Sequence, residues 1–123
     1  MQQVQVESFL LDHTKVEAPY VRRAGVVHTP KGDLITKYDL RFTQPNQEVM
    51  PTGAVHALEH LLAGFLREEF AGVIDVSPMG CRTGFYLILL GEETVEGVAQ
   101  ALIRSLDRVL AAETVPARSP VQC

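Results

Sequence analysis

Between Leu34 and Phe42 the apolar and polar positions alternate with a period of two. Val21 to His28 reads as a strand, and Thr29-Pro30-Lys31-Gly32-Asp33 as a hairpin turn, with Pro and Gly in the order that reverses a chain. Leu34 to Phe42 is the returning strand, with Leu34, Thr36, Tyr38, Leu40 and Phe42 on one face and Ile35, Lys37, Asp39 and Arg41 on the other. Residues 44–53, rich in Pro, Asn and Gly, read as a loop. From Ala54 to Phe70 the period becomes helical. At about 100° per residue, Val55, Leu58, Leu62, Phe65 and Leu66 form one apolar stripe, and Gly72 is the expected stop. Val73 to Val76 reads as a short strand, Ser77 to Gly84 as a turn, and Phe85 to Leu90 as a buried strand. Thr94 is the expected N-cap of a last helix running to about Glu113, with Val98, Leu102, Leu106, Val109 and Leu110 on one face. The tail from Thr114 to Cys123 reads as irregular. A strand hairpin, a helix, a strand pair and a helix predict an α+β fold: a largely antiparallel sheet with helices on one face.

The 123 residues fit one domain, and no repeat or composition shift marks a linker. Acidic residues outnumber basic ones, 15 to 11, for a net charge of −4. Without a basic cluster, a nucleic-acid surface is not expected. The N-terminus has no basic segment leading into a long apolar stretch, so no secretory leader is read. Phe85 to Leu90, the longest apolar run, is too short to cross a bilayer, and the expectation is a cytoplasmic protein without membrane contact. In that compartment Cys81 and Cys123 read as metal-binding or catalytic thiols rather than as a disulfide.

The strongest local chemical signal is His56-Ala57-Leu58-Glu59-His60, the inverted form of the zinc-protease helix motif. Residues four apart lie about 40° apart around a helix, so both imidazoles can point at one ion. Glu59 is close enough to handle a proton without being a ligand. His56, His60, Ala63 and Arg67 form a stripe opposite the apolar one, and Ala57, Ala63 and Gly64 keep that side open. A solvated helix surface would carry the same letters, and a small metallopeptidase would use the same histidines. Two histidines need at least one further ligand, and Cys123 is a candidate whose thiolate would leave an open coordination position. Cys81 sits in Ser77-Pro78-Met79-Gly80-Cys81-Arg82-Thr83-Gly84. Exposure beside Gly and Arg favours a thiolate that can act as nucleophile or proton carrier, whereas the bland alternative is a small buried hydrophobe.

Five segments resemble the S-ribosylhomocysteine lyase (LuxS) family in order and spacing. They are Glu7-Ser8-Phe9 with Asp12-His13-Thr14, Thr29 to Asp33, Tyr38-Asp39-Leu40-Arg41-Phe42, His56 to Leu61, and Asp75 to Gly84. The likeness runs from about Val6 to Gly91, and the Asp-x-Ser-Pro-Met-Gly-Cys-x-Thr-Gly stretch is its most specific part. Cys123 falls where that family places its third metal ligand.

The resemblance implies a fold of the LuxS/MPP-like metallohydrolase type. It implies that His56, His60 and Cys123 hold one divalent metal, Fe(II) with Zn(II) or Co(II) as substitutes. Glu59 and Cys81 would be the proton-transfer groups, and Ser8, His13, Arg41, Arg67 and Asp75 would line or support the substrate pocket. It also implies a homodimer with active sites at the interface. The reaction would release homocysteine and 4,5-dihydroxypentane-2,3-dione, the autoinducer-2 precursor, by carbonyl migration and β-elimination. The family continues beyond the third ligand whereas this sequence stops at Cys123, so a metal-binding member without turnover is the alternative expectation.

Overall fold

The computed structural model describes residues 18–45, 47 and 49–112. Within them the chain runs β1 (Tyr20–His28), β2 (Leu34–Arg41), α1 (Thr52–Glu69), β3 (Val73–Pro78), β4 (Gly84–Leu90) and α2 (Val95–Ala111). The strands form one four-stranded sheet in the order β1-β2-β4-β3, and each neighbouring pair is antiparallel. The α+β architecture expected from the hydrophobic rhythm is therefore present.

Local chemistry explains the turns. Gly32 takes φ +90°, a left-handed value open to glycine, and its N–H donates to the Thr29 carbonyl at 3.0 Å. Thr29 Oγ1 accepts from the Asp33 N–H at 3.0 Å, which closes the β1–β2 hairpin. Thr94 caps α2 as expected, its Oγ1 accepting from the Gly97 N–H at 3.0 Å.

One face of the sheet carries the core. Tyr38 and Leu40 of β2, Val76 of β3, and Phe85, Leu87 and Leu89 of β4 pack with Leu62 and Leu66 of α1 and Val98 and Leu102 of α2. Tyr38 keeps its buried hydroxyl satisfied by accepting from the Glu93 N–H at 2.8 Å and donating to the Glu93 carbonyl. That link and Thr36 Oγ1, donating to the Gly91 carbonyl at 2.7 Å, join β2 to the approach of α2.

Several expectations needed correction. In α1 the buried residues are Val55, Leu61, Leu62 and Leu66. Leu58, though half-buried, packs against this core as its stripe position predicts, whereas Phe65 sits at the margin, where the Arg108 guanidinium lies 4.2 Å from its ring centre. Gly72 does not end α1, which stops at Glu69 with Phe70 as its extended cap. Gly72 instead allows a close approach to β4, because a Cβ there would meet the Leu90 carbonyl oxygen at 2.8 Å. Leu110, assigned to the apolar face of α2, is 85% exposed, whereas its neighbour Val109 packs against the core. The expected turn from Ser77 to Gly84 is shorter than read, with β3 reaching Pro78 and β4 starting at Gly84.

Among the glycines, Gly84 makes the tightest approach to a neighbouring backbone. A Cβ at this position would stand 2.1 Å from the Leu40 carbonyl oxygen and 2.9 Å from the Arg41 Cα. Both obstacles are backbone, so no rotamer change relieves them. Gly84→Ala is expected to destabilise the chain by about 3 kcal/mol or more, seen as a lower urea midpoint; an unchanged midpoint would contradict this packing.

Candidate active site

The apolar stripe of α1 faces the core, so the helix turns its other side toward the outer edge of β3. Glu59, His60, Ala63 and Arg67 from α1 meet Asp75, Val76 and Ser77 from β3 around an open cavity of about 350 Å³. That volume lies at the small end of ligand-sized clefts. A bulge between Val73 and Asp75 interrupts the β3–β4 register next to the cavity. Arg67 is held by a hydrogen bond from Nη1 to the Ala63 carbonyl at 2.8 Å.

His56 lies one turn before His60 on the same side of α1, exposed where His60 is half-buried. Their ring centres are 5.1 Å apart, with planes tilted by 40°. Two imidazoles bound at about 2.1 Å to one tetrahedral ion place their ring centres roughly 5 Å apart. The pair therefore fits a shared divalent metal. Among the described residues no set of three or more His, Cys, Asp or Glu converges as a ligand group.

Cys81 occupies the turn between β3 and β4. The turn is fastened by backbone bonds: the Arg82 N–H to the Met79 carbonyl at 2.9 Å, the Met79 N–H to the Gly84 carbonyl at 2.9 Å, and the Met50 N–H to the Arg82 carbonyl at 2.8 Å. Arg82 stands at φ +59°, a left-handed value unusual for a residue with a Cβ. Its Nη1 donates to Thr52 Oγ1 at 3.2 Å, which sets the cysteine turn against the start of the helix that carries His56. Cys81 is a free, exposed thiol.

Behind Cys81 runs a buried polar chain. Cys81 Sγ lies 3.0 Å from Thr83 Oγ1, and Thr83 Oγ1 accepts from Arg41 Nη1 at 3.0 Å. Arg41 grips Asp39 with two bonds, Nε to Oδ1 at 3.1 Å and Nη2 to Oδ2 at 2.9 Å. The same carboxylate accepts from Arg22 Nη2 and Tyr20 Oη, each at 3.1 Å. Asp39, Arg41 and Thr83 are all buried. Burial works against the Arg41 charge, but hydrogen bonds and the charge of Asp39, with Tyr20 and Cys81 adding to them, hold its proton more firmly than usual. Tyr20 is pushed up, first by burial and then by the negative charge of Asp39.

Of the residues singled out from the sequence and its resemblance, Glu59, His60, Arg67 and Asp75 line one cavity. Cys81 and Arg41 belong to the neighbouring corner, joined through Thr83. Ser8, His13 and Cys123 lie outside the described residues. Asp39, Thr83, Tyr20 and Arg22 were missed as supports. The available signal was Asp39-x-Arg41 within a strand, which puts opposite charges on one face amid apolar neighbours.

A family model described as S-Ribosylhomocysteinase (LuxS) matches residues 6–123. The chain belongs to this family. The S-ribosylhomocysteine lyase of Thermus thermophilus is 58% identical over 120 residues, covering 97% of this chain and 77% of that protein. The S-ribosylhomocysteine lyase of Clostridium perfringens (strain 13) is 56% identical over 120 residues, covering 98% and 80%. That of Deinococcus radiodurans is 56% identical over 119 residues, covering 96% and 75%. The stretch matched to the S-ribosylhomocysteine lyase family takes in both the α1–β3 cavity and the cysteine turn, and every candidate residue from Ser8 to Cys123.

Proposed function

We propose that this chain is a metal-dependent carbon–sulfur lyase that cleaves S-ribosylhomocysteine to homocysteine and 4,5-dihydroxypentane-2,3-dione. Family membership across residues 6–123 carries the reading. The grouping of Glu59, His60, Arg67 and Asp75 around one cavity supports it.

In this substrate the sulfur sits on C5 of the ribose, too far from the C1 aldehyde for direct elimination. Moving the carbonyl to C2 and then to C3 makes the C4 proton acidic. Removal of that proton expels the C5 thiolate, and the resulting enol takes up a proton at C5 to give the dione. Each migration needs a proton taken from one carbon and returned to its neighbour, with the reverse transfer on oxygen. Glu59 and Cys81 are the pair we assign to these transfers. Arg67 and Asp75, with Ser8 and His13, would hold the polar ends of the substrate, and Arg41 would support the Cys81 side. His56, His60 and Cys123 would hold the metal, Fe(II) with Zn(II) or Co(II) as substitutes. A divalent ion bound there supplies Lewis acidity toward the carbonyl and hydroxyl oxygens.

The same reading includes a homodimer with shared active sites and kinship with the MPP-like metallohydrolases. In support of the dimer, the register aligns Val27, Ile35 and Leu90 on the sheet face away from the helices, where Val27 and Leu90 are 61% and 56% exposed. A cytoplasmic location belongs to the reading as well. Among the described residues no helix is long and apolar enough to cross a membrane.

The separation of metal holding from proton transfer gives a direct test. Glu59→Gln should retain the metal content of the parent protein and lose homocysteine release by about 10²-fold or more. His56→Ala should lose the metal itself, measured by elemental analysis. A Glu59→Gln variant with unimpaired release would remove Glu59 from the mechanism.

A further inference from the structure

Thr83 is buried at 1% exposure, yet its hydroxyl touches an exposed thiol on one side and a buried guanidinium on the other. The Arg41 guanidinium has no acceptor capacity, so Arg41 Nη1 must donate and Thr83 Oγ1 must accept. One lone pair of the hydroxyl is thereby committed, and its single proton is left for another acceptor. Two sulfurs are in reach: Cys81 Sγ at 3.0 Å and Met79 Sδ at 3.9 Å. The nearer one is the only sulfur of the two that can bear a negative charge.

We infer that Thr83 is a positioning residue that donates its hydroxyl hydrogen to the Cys81 thiolate and couples it to the buried Arg41–Asp39 pair. The inference rests on the proposed role of Cys81 as a proton carrier. A group that both takes and gives protons must be held in both states. When Cys81 is a thiolate, Thr83 donates to it; when Cys81 is a thiol, the remaining lone pair of Thr83 can accept from the S–H. The hydroxyl thus keeps the sulfur in one place through the proton cycle. Arg41, already polarising the hydroxyl, makes it a better donor to a negative sulfur.

The other charged groups at this corner do not replace it. Arg41 comes from β2 with Asp39 behind it, and Tyr20 and Arg22 from β1 bond to Asp39 rather than to the thiol. Arg82 in the turn itself directs Nη1 to Thr52 of α1. Thr83 is the hydrogen-bonding side chain that touches Cys81 among the described residues.

The test is the pH profile of iodoacetamide alkylation at Cys81 in the full chain, read on the Cys81 peptide by mass spectrometry. Thr83→Val keeps the shape and removes the hydroxyl. Alkylation at a fixed pH near neutrality should slow roughly tenfold. Thr83→Ser should return close to the parent profile. In turnover, Thr83→Val should lower kcat with little change in KM. A folded Thr83→Val with the parent alkylation profile would overturn the inference. A second measurement does not depend on that variant folding: the infrared S–H stretch of Cys81 at low pH, isolated by subtraction of Cys81→Ser. A band lowered by hydrogen bonding supports the contact, and a band at the free-thiol frequency overturns it. Alkylation and the infrared band use no substrate, so absence of lyase activity in the parent chain would sink the proposed function without being mistaken for a failure of this contact.

Discussion

Replacing Cys81 with alanine is expected to lower homocysteine release by roughly 10³-fold, within the range for a lost acid–base group, while leaving the fold intact. The side chain is exposed, and its partner among the described residues is the Thr83 hydroxyl. Little packing is lost when it is cut back, so a stability change within about 0.5 kcal/mol is expected. The turn that presents it is held by the backbone of Met79, Arg82 and Gly84, none of which needs the sulfur. The contrast between activity and stability is the informative part. Thermal unfolding and metal content should match the parent protein while kcat collapses. A variant that still turns over at a tenth of the parental rate would show that Cys81 is a bystander.

Asp39→Ala should produce the opposite pattern, a large loss of stability from a residue that lies behind the chemistry. Its carboxylate accepts two bonds from Arg41 and further bonds from Arg22 and Tyr20, with the Asp39 side chain fully buried and that of Arg41 1% exposed. Removing one partner of such a pair strands a buried guanidinium, at a cost of about 3–5 kcal/mol. Replacing both partners with apolar residues of similar size is expected to cost less than Asp39→Ala alone, because no charge is then left uncompensated. Urea denaturation of the two single variants and the double variant measures this. Equal, additive losses would mean that the pair is not coupled.

How far the fold could be read from the sequence follows from which interactions are local. The helical period of α1 and its His-x-x-Glu-His pattern depend on residues within two turns of one another, so their placement on a common side was legible. The β1–β2 hairpin was legible for the same reason, through Thr29, Gly32 and Asp33. Alternation along β2 correctly divided its two faces, yet it could not tell that Asp39 and Arg41 are buried. Their cover comes from Tyr20 and Arg22, placed opposite them by a β1 register that slips between Arg23 and Gly25. Nothing in the β2 segment itself encodes that slip. Gly72 was misread because a glycine after a helix resembles a stop, whereas its role is set by Leu90, 18 residues later in the chain. Thr83 escaped notice because its importance lies in two contacts, one local and one 42 residues away.

The most direct measurement is thiol release from S-ribosylhomocysteine by the full chain, loaded anaerobically with Fe(II) or Co(II) and compared with a protein-free blank. Homocysteine and 4,5-dihydroxypentane-2,3-dione are expected in equal amounts, with release lost in both Cys81→Ala and Glu59→Gln. A folded, metal-loaded chain that releases no thiol would contradict the proposed lyase activity.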